Sequence, residues 1–89
     1  MPSLERWKKF SQRDQLGHIG AELYRAAETQ ANDPELVKTM LERALDLVDL
    51  SLEDEKWRDN PLPLLKLRAK IAQVYVGQTS DIGAIYALL

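Results

Sequence analysis

The sequence predicts an all-α protein, a small antiparallel helical bundle with three main helices and a short C-terminal helix. In three successive segments, apolar residues repeat with the period of about 3.6 residues that is typical of an amphipathic helix. The clearest segment, residues 33–52, carries an apolar stripe on one side and acidic residues on the other. The length of 89 residues corresponds to a single domain, residues 1–89, and short connections between the segments favour antiparallel neighbours.

The composition limits the class of protein. Hydrophobic residues make up 45% of the chain, which suffices for a packed core and argues against disorder. The absence of cysteine excludes disulfides and thiolate metal sites. No run approaches the length of about 18 apolar residues that a membrane span requires, and the N-terminus lacks the apolar core of a secretory signal. We therefore expect a cytoplasmic protein with no membrane association and no cofactor.

Helix-start signals divide the first part of the chain. Residues 1–10 are predicted to form a short N-terminal helical segment, capped by Ser3, that either folds over the bundle or extends as an arm. Ser11 and the acid at Asp14 resemble a capping box, which predicts a helix over about residues 12–31.

Later signals predict three further helices. Asp33 is a good N-cap and Pro34 suits the first helical position, so a helix is expected over about residues 34–52. After a polar connection, prolines reopen a helix over about residues 62–76, with a glycine as its C-terminal cap. A last helix over about residues 81–88 is expected to begin at a cap formed by Thr79 or Ser80.

Two glycines, Gly17 and Gly20, fall in the interior of the first long helix. Each costs roughly 1 kcal/mol relative to alanine in that setting. Close approach of a neighbouring helix is the favoured explanation, and room for a ligand is the alternative.

The chain has one histidine, His18, with Asp14 four residues before it and Glu22 four residues after it. These positions share one helical face, so the three groups could form a metal site or a general base with a carboxylate partner. The competing interpretation is a solvated helix face on which the histidine has no ligand. We favour the solvated face and predict no metal ligand here.

Arg13 and His18 lie in the string RDQLGH, which is similar to the R-x4-6-H signature of the HEPN superfamily of small all-helical proteins. The resemblance implies an RNase or a toxin–antitoxin component, in which arginine and histidine from two subunits meet at a dimer cleft and cleave a phosphodiester. In such a site histidine moves a proton and arginine stabilises the developing charge. Arg13 and His18 are accordingly the candidate catalytic residues of an alternative function.

Charged residues are distributed unevenly along the chain. The acidic stripe of the 34–52 helix is expected to be a hydrated outer face, with docking of a basic partner as the alternative; it comprises Glu42, Asp46, Asp49 and Glu53.

Two basic clusters suggest a second alternative function, a small nucleic-acid-associated regulator. The net charge of −2 disfavours nucleic acid as a partner, because phosphate binding requires several released counterions. The clusters comprise Lys8, Lys9 and Arg13, and Lys66, Arg68 and Lys70.

Apolar residues beyond those that the helices need to bury one another indicate an interaction surface. A chain this short buries a modest fraction of its surface, and association with a second copy or another protein is a common source of further stability. The sequence therefore predicts, as its main function, a non-enzymatic protein–protein interaction or self-association module. The residues predicted for the interface are Leu4, Trp7, Phe10, Trp57, Ile85, Tyr86, Leu88 and Leu89.

Overall fold

A computed structural model describes residues 2–89 and shows an all-α protein, as predicted; Met1 lies outside the described residues. Within residues 2–89 there is no strand. Three helices are long and two are short, and one 3₁₀ turn follows the second long helix. In chain order they are α1 (Leu4–Trp7), α2 (Gln12–Thr29), α3 (Pro34–Glu53), the 3₁₀ turn (Glu55–Trp57), α4 (Leu62–Tyr75) and α5 (Ile82–Tyr86).

The ends of α2 to α5 fall within two residues of the predicted positions, and local capping groups define several of them. The Ser11 hydroxyl accepts from the backbone N–H of Asp14 at 3.1 Å, and the Asp33 carboxylate caps α3 in the same way. After α4, Gly77 adopts a φ of 84° in a Schellman motif, in which the N–H of Gln78 donates to the carbonyl of Gln73.

The structure adds a detail to one local prediction and corrects another. The polar connection after α3 contains a 3₁₀ turn, because the Asp54 carboxylate accepts from the backbone N–H of Lys56 at 3.0 Å. The cap of α5 is Asp81 rather than Thr79 or Ser80, since its carboxylate accepts from the N–H of Ala84 at 3.1 Å.

The helices form a ring of contacts in which α2 packs on α3, α3 on α4, and α5 on both α4 and α2. The Gln30 side chain donates to the carbonyl of Ser80, which fixes the start of α5 at the C-terminal end of α2. From there α5 runs back along α2 toward Gly20, so it is antiparallel to α2. With five residues against eighteen, α5 spans about 7.5 Å and α2 about 27 Å. The N-terminal half of α2 therefore extends past the end of α5.

The core lies where the apolar faces of α2, α3 and α4 meet, and each long helix contributes side chains at three- and four-residue spacing. The N-terminal segment packs on this core rather than extending as an arm, because Trp7 is buried and α1 contacts α3. Among the largest fully buried side chains are Trp7, Ile19, Leu23, Leu41, Leu64, Ile71 and Ile82.

Candidate interaction surface

Both tryptophans predicted for the interface are core residues, with only 2% of Trp7 and 6% of Trp57 exposed. Their indole nitrogens have buried partners: Trp7 Nε1 donates to Ser51 Oγ at 2.8 Å, and Trp57 Nε1 donates to Gln15 Oε1 at 2.7 Å. A buried tryptophan normally needs such a partner for its N–H group. This pairing corrects the prediction, because neither side chain is available to a partner protein.

The other six predicted interface residues divide by exposure. Ile85 is buried and belongs to the core, which corrects its prediction as well; with Ile82 it anchors α5 on the bundle. Leu4 and Phe10 are half-buried against the core. The residues that remain exposed are Tyr86, Leu88 and Leu89.

A buried polar cluster holds the N-terminal segment, α2 and the 3₁₀ turn together. Gln15 Nε2 donates to the carbonyl of Trp7 at 3.0 Å and to Asp54 Oδ2 at 2.9 Å. The Lys56 ammonium donates to the same carboxylate at 2.7 Å and to the carbonyl of Lys8. Burial alone raises the pKa of Asp54, but the hydrogen bonds from Lys56 and Gln15 outweigh burial and lower that pKa below its ordinary value. These groups satisfy one another, so the cluster has a structural role.

The cluster has no signal in the sequence. Its longer-range hydrogen bonds join side chains about forty positions apart in the chain, such as Gln15 with Asp54 or Trp57. Helical periodicity and capping patterns report neighbours within a few residues, so they do not predict these pairs.

The two candidate catalytic residues lie on different sides of α2. The His18 ring is 4.6 Å from the Phe10 ring and 5.7 Å from the Trp7 ring, between centroids. Arg13 instead lines a groove together with Gly17. Five residues of helix separate their directions by about 140°. The RNase prediction from the HEPN resemblance therefore requires a second subunit to bring the pair together, and it stays a prediction.

The acids beside His18 do not converge on it. Asp14 is exposed, and Glu22 accepts a hydrogen bond from Arg25 at 2.6 Å. Among residues 2–89, no group of three or more histidine, aspartate and glutamate side chains is placed to hold a metal ion. His18 instead packs on the aromatic side chains of the N-terminal segment.

The two helix glycines have different surroundings. A Cβ at Gly20 would lie 2.9 Å from Leu89 Cδ1 and 3.7 Å from the Tyr86 ring, so this glycine lets the end of the chain pack on α2. At Gly17 a Cβ would meet no described atom within 4 Å. Gly17 lines an open groove of about 550 Å³ beyond the end of α5, with Arg13 at its edge. Close packing thus explains Gly20, whereas Gly17 borders open space.

The acidic stripe of α3 is exposed and borders α4. Asp49 forms an ion pair with Arg68 at 2.7 Å, which raises the pKa of the guanidinium. The Tyr75 hydroxyl donates to Glu42 Oε1 at 3.2 Å. Repulsion by this carboxylate, together with the hydrogen bond, raises the pKa of Tyr75. Two of the four acids thus hold side chains of α4, while the stripe as a whole faces solvent.

The basic side chains fall into separate regions. Lys8 and Lys9 line one hollow near the N-terminus, and Arg13 lines the groove on α2. On α4, Arg68 is paired with Asp49. Function as a nucleic-acid-associated regulator stays a prediction.

An apolar stripe that was not predicted from the sequence runs along the outer face of α4 and ends at Val76, the residue that caps this helix at its C-terminus. Leu65 is 47% exposed and Val76 is 66% exposed; between them Ala69 is exposed and Ala72 half-exposed. At 100° per residue, this outer stripe points about 150° away from the mean direction of the core-facing side chains. Those core-facing residues are Leu64, Leu67, Ile71 and Val74.

The signal for the outer stripe was present in the sequence. The apolar residues of α4 cover more than half of its circumference and leave a polar arc at Lys66, Lys70 and Gln73. An apolar arc this wide exceeds the single stripe that faces the core. Here α4 packs on α3 and α5 and leaves its outer stripe uncovered. At the N-terminal end of α4, exposed Leu62 and exposed Leu88 line one hollow, so the apolar surface continues onto the segment after α5.

The sequence matches no protein-family model and no curated protein, and no solved structure matches the chain. Among the helices of residues 2–89, none combines the length and the apolar character that crossing a bilayer requires.

Proposed function

We propose that this protein is a non-enzymatic interaction module that self-associates through the outer stripe of α4. The observation that carries the proposal is the exposure of Leu65 and Val76 on a face directed away from the core. Contiguous apolar surface on a small soluble domain marks protein–protein contact sites. The exposed pair Leu62 and Leu88 extends this surface at one end.

The expected association is weak. Covering the exposed part of each large apolar side chain contributes on the order of 1 kcal/mol, and four such side chains from each of two copies give about 8 kcal/mol. Association costs at least about 4 kcal/mol in lost translational and rotational freedom. The net free energy of association is then at most about 4 kcal/mol, so a dimer with a Kd of about 1 mM is expected.

Sedimentation equilibrium over about 5 to 500 μM tests the proposal. The expected mass rises from 10.2 kDa toward twice that value as concentration increases. Ala69→Glu places a charge at the centre of the stripe, and we expect it to hold the protein at the monomer mass. The matched control is Ala27→Glu, the same change at an exposed helical alanine of α2.

Two results would contradict the proposal. One is a mass of 10.2 kDa at every concentration. The other is self-association that responds equally to Ala69→Glu and to Ala27→Glu, since the interface would then lie outside α4.

A further inference from the structure

Resting on the proposed self-association, we infer that the occupant of the outer stripe is α4 of a second copy, docked antiparallel about a two-fold axis between Lys70 and Ile71. The stripe residues follow one another at intervals of four, three and four residues, a pattern that reads identically in both directions along the helix. A two-fold axis requires a surface that is complementary to itself. The stripe has that property in its spacing.

The antiparallel register matches side-chain sizes along the contact. Leu65 lies opposite Val76 of the second copy, and Ala69 lies opposite Ala72 of the second copy. Small side chains at the centre allow the helix axes to approach to the short end of the usual range of about 8–10 Å. The larger side chains at both ends fill the space where the helices diverge.

Repulsion between basic side chains favours the antiparallel over the parallel arrangement. A parallel pair in register would bring opposite flanks of α4 together and set Lys66 of each copy beside Arg68 of the second, about 3 Å apart along the axis. With a rise of 1.5 Å per residue, the antiparallel register separates the two Lys66 side chains by about 13.5 Å along the axis and the two Arg68 side chains by about 7.5 Å. The like charges of Lys66 and Arg68 therefore repel less in the antiparallel pair. The two Lys70 residues lie about 1.5 Å apart along the axis, but their directions are about 130° from the centre of the stripe, so their side chains point away from the contact.

The same register adds an attraction. Arg68 and Tyr75 lie on the same flank of α4, where α3 supplies Asp49 and Glu42. In the antiparallel pair, Arg68 falls within about 3 Å, along the axis, of the level of Tyr75 and hence of Glu42 in the second copy. Each Arg68 then lies near the level of an acid on the same flank of the second copy, in addition to its bond to its own Asp49. This complementarity favours a second copy of the chain as the occupant.

Cysteine cross-linking tests the register, because the chain has no natural cysteine. Leu65→Cys and Val76→Cys proteins are oxidised separately and as an equimolar mixture, and intact-mass measurement distinguishes the mixed dimer from each homodimer. Both positions are exposed, and thermal melting verifies that each variant is folded. In the antiparallel pair, a thiol at residue 65 meets a thiol at residue 76, whereas identical thiols lie about 16.5 Å apart along the axis.

The expected result is a mixed dimer that forms at least about fivefold faster than either homodimer. An Ala27→Cys protein gives the background rate of collisional oxidation. Faster homodimer than mixed-dimer formation would overturn the antiparallel register while leaving self-association intact. If all cross-linking rates equal the Ala27→Cys background in a protein that sediments as a dimer, the contact between the copies lies outside α4. The same rates in a protein that sediments as a monomer would overturn the proposed function itself.

Discussion

The carboxamide of Gln15 donates a hydrogen bond of 2.9 Å to the carboxylate of Asp54, which is 39 positions later in the chain. Both side chains are buried, and the carboxamide oxygen of Gln15 also accepts from the Trp57 indole. One polar side chain of α2 thus connects to the segment after α3 and to the N-terminal segment, through its bond to the carbonyl of Trp7. Buried polar groups satisfied in this way specify one arrangement of the elements that they join.

Gln15→Leu is expected to destabilise the fold by about 3 kcal/mol. The change leaves the Trp57 N–H and part of the Asp54 carboxylate without partners in a buried site, and each unsatisfied group costs roughly 1–3 kcal/mol before relaxation. It also removes one of the two hydrogen bonds to the Trp7 carbonyl, which keeps the bond from the Phe10 N–H. Urea denaturation measures the free energy of unfolding. The exposed Gln78→Leu serves as the control, with an expected change within about 0.5 kcal/mol. Equal effects of the two changes would show that the buried cluster contributes no specific stability.

The stability of the protein is expected to fall at acidic pH through Asp54. Its pKa is lowered in the folded state, so the unfolded chain binds the proton more readily and stability rises with pH in this window. The contribution is present above the ordinary pKa of 3.8 and is lost as the pH falls through the lower folded value.

Urea denaturation of wild type and Asp54→Asn at pH 6, 4 and 3 measures this dependence. We expect a smaller loss of stability between pH 6 and pH 3 in Asp54→Asn than in wild type. Asp59→Asn, at an exposed position, is expected to retain the wild-type dependence. If Asp54→Asn and wild type lose stability in parallel, the acid sensitivity belongs to other carboxylates.

The helices of this fold were predictable because their signals are local. Ser11 and Asp33 cap helices through N–H groups three residues away, and the core-facing side chains repeat at three- and four-residue intervals. Such patterns can be recognised in a single sequence without any knowledge of the tertiary structure.

The surface was harder to predict, because exposure depends on distant residues. The sequence pattern around a large aromatic residue such as Trp57 is the same whether its N–H group donates to a partner protein or to Gln15. Conversely, Leu65 lies in α4 and Val76 caps its C-terminus, in a segment whose apolar residues all resemble core residues. The packing of α3 and α5 on α4 decides which of them remain uncovered. The same packing leaves three further residues exposed: Tyr86, Leu88 and Leu89.

Gly17→Ala and Gly20→Ala are expected to differ, although both replace a glycine in the interior of α2. At Gly17 the added methyl group has open space, so the gain in helix propensity raises stability by about 0.5–1 kcal/mol. At Gly20 it approaches Leu89 Cδ1 to 2.9 Å, and the displacement of that side chain offsets the gain. Thermal melting is expected to show a higher Tm for Gly17→Ala than for Gly20→Ala.

A double-mutant cycle identifies the cause of that difference. In a Leu89→Ala background the obstacle is gone, so Gly20→Ala is expected to regain about 0.5–1 kcal/mol, while the effect of Gly17→Ala stays the same. Were Gly20→Ala to have the same effect in both backgrounds, Leu89 would not be packed against α2 in solution.

Removal of the Glu42 carboxylate is expected to lower the pKa of Tyr75. Repulsion by this carboxylate disfavours the phenolate, and the hydrogen bond of 3.2 Å stabilises the protonated hydroxyl, so the pKa of Tyr75 lies above its ordinary value. Ultraviolet titration follows the three tyrosines of the chain. Glu42→Gln is expected to move one of three transitions to lower pH, and that transition is expected to be missing in Tyr75→Phe.

Glu53→Gln provides the control, because Glu53 belongs to the same exposed acidic stripe of α3 and has no hydrogen bond to Tyr75. It is expected to leave the three tyrosine transitions nearly unchanged, since exposed charges at longer distance are screened by salt. A raised pKa also means that the folded state gains from this contact below the ordinary pKa of Tyr75 and loses the gain as the pH rises through the raised value. An identical shift in Glu42→Gln and Glu53→Gln would assign the raised pKa to the net field of α3 and would argue against a specific Tyr75–Glu42 contact.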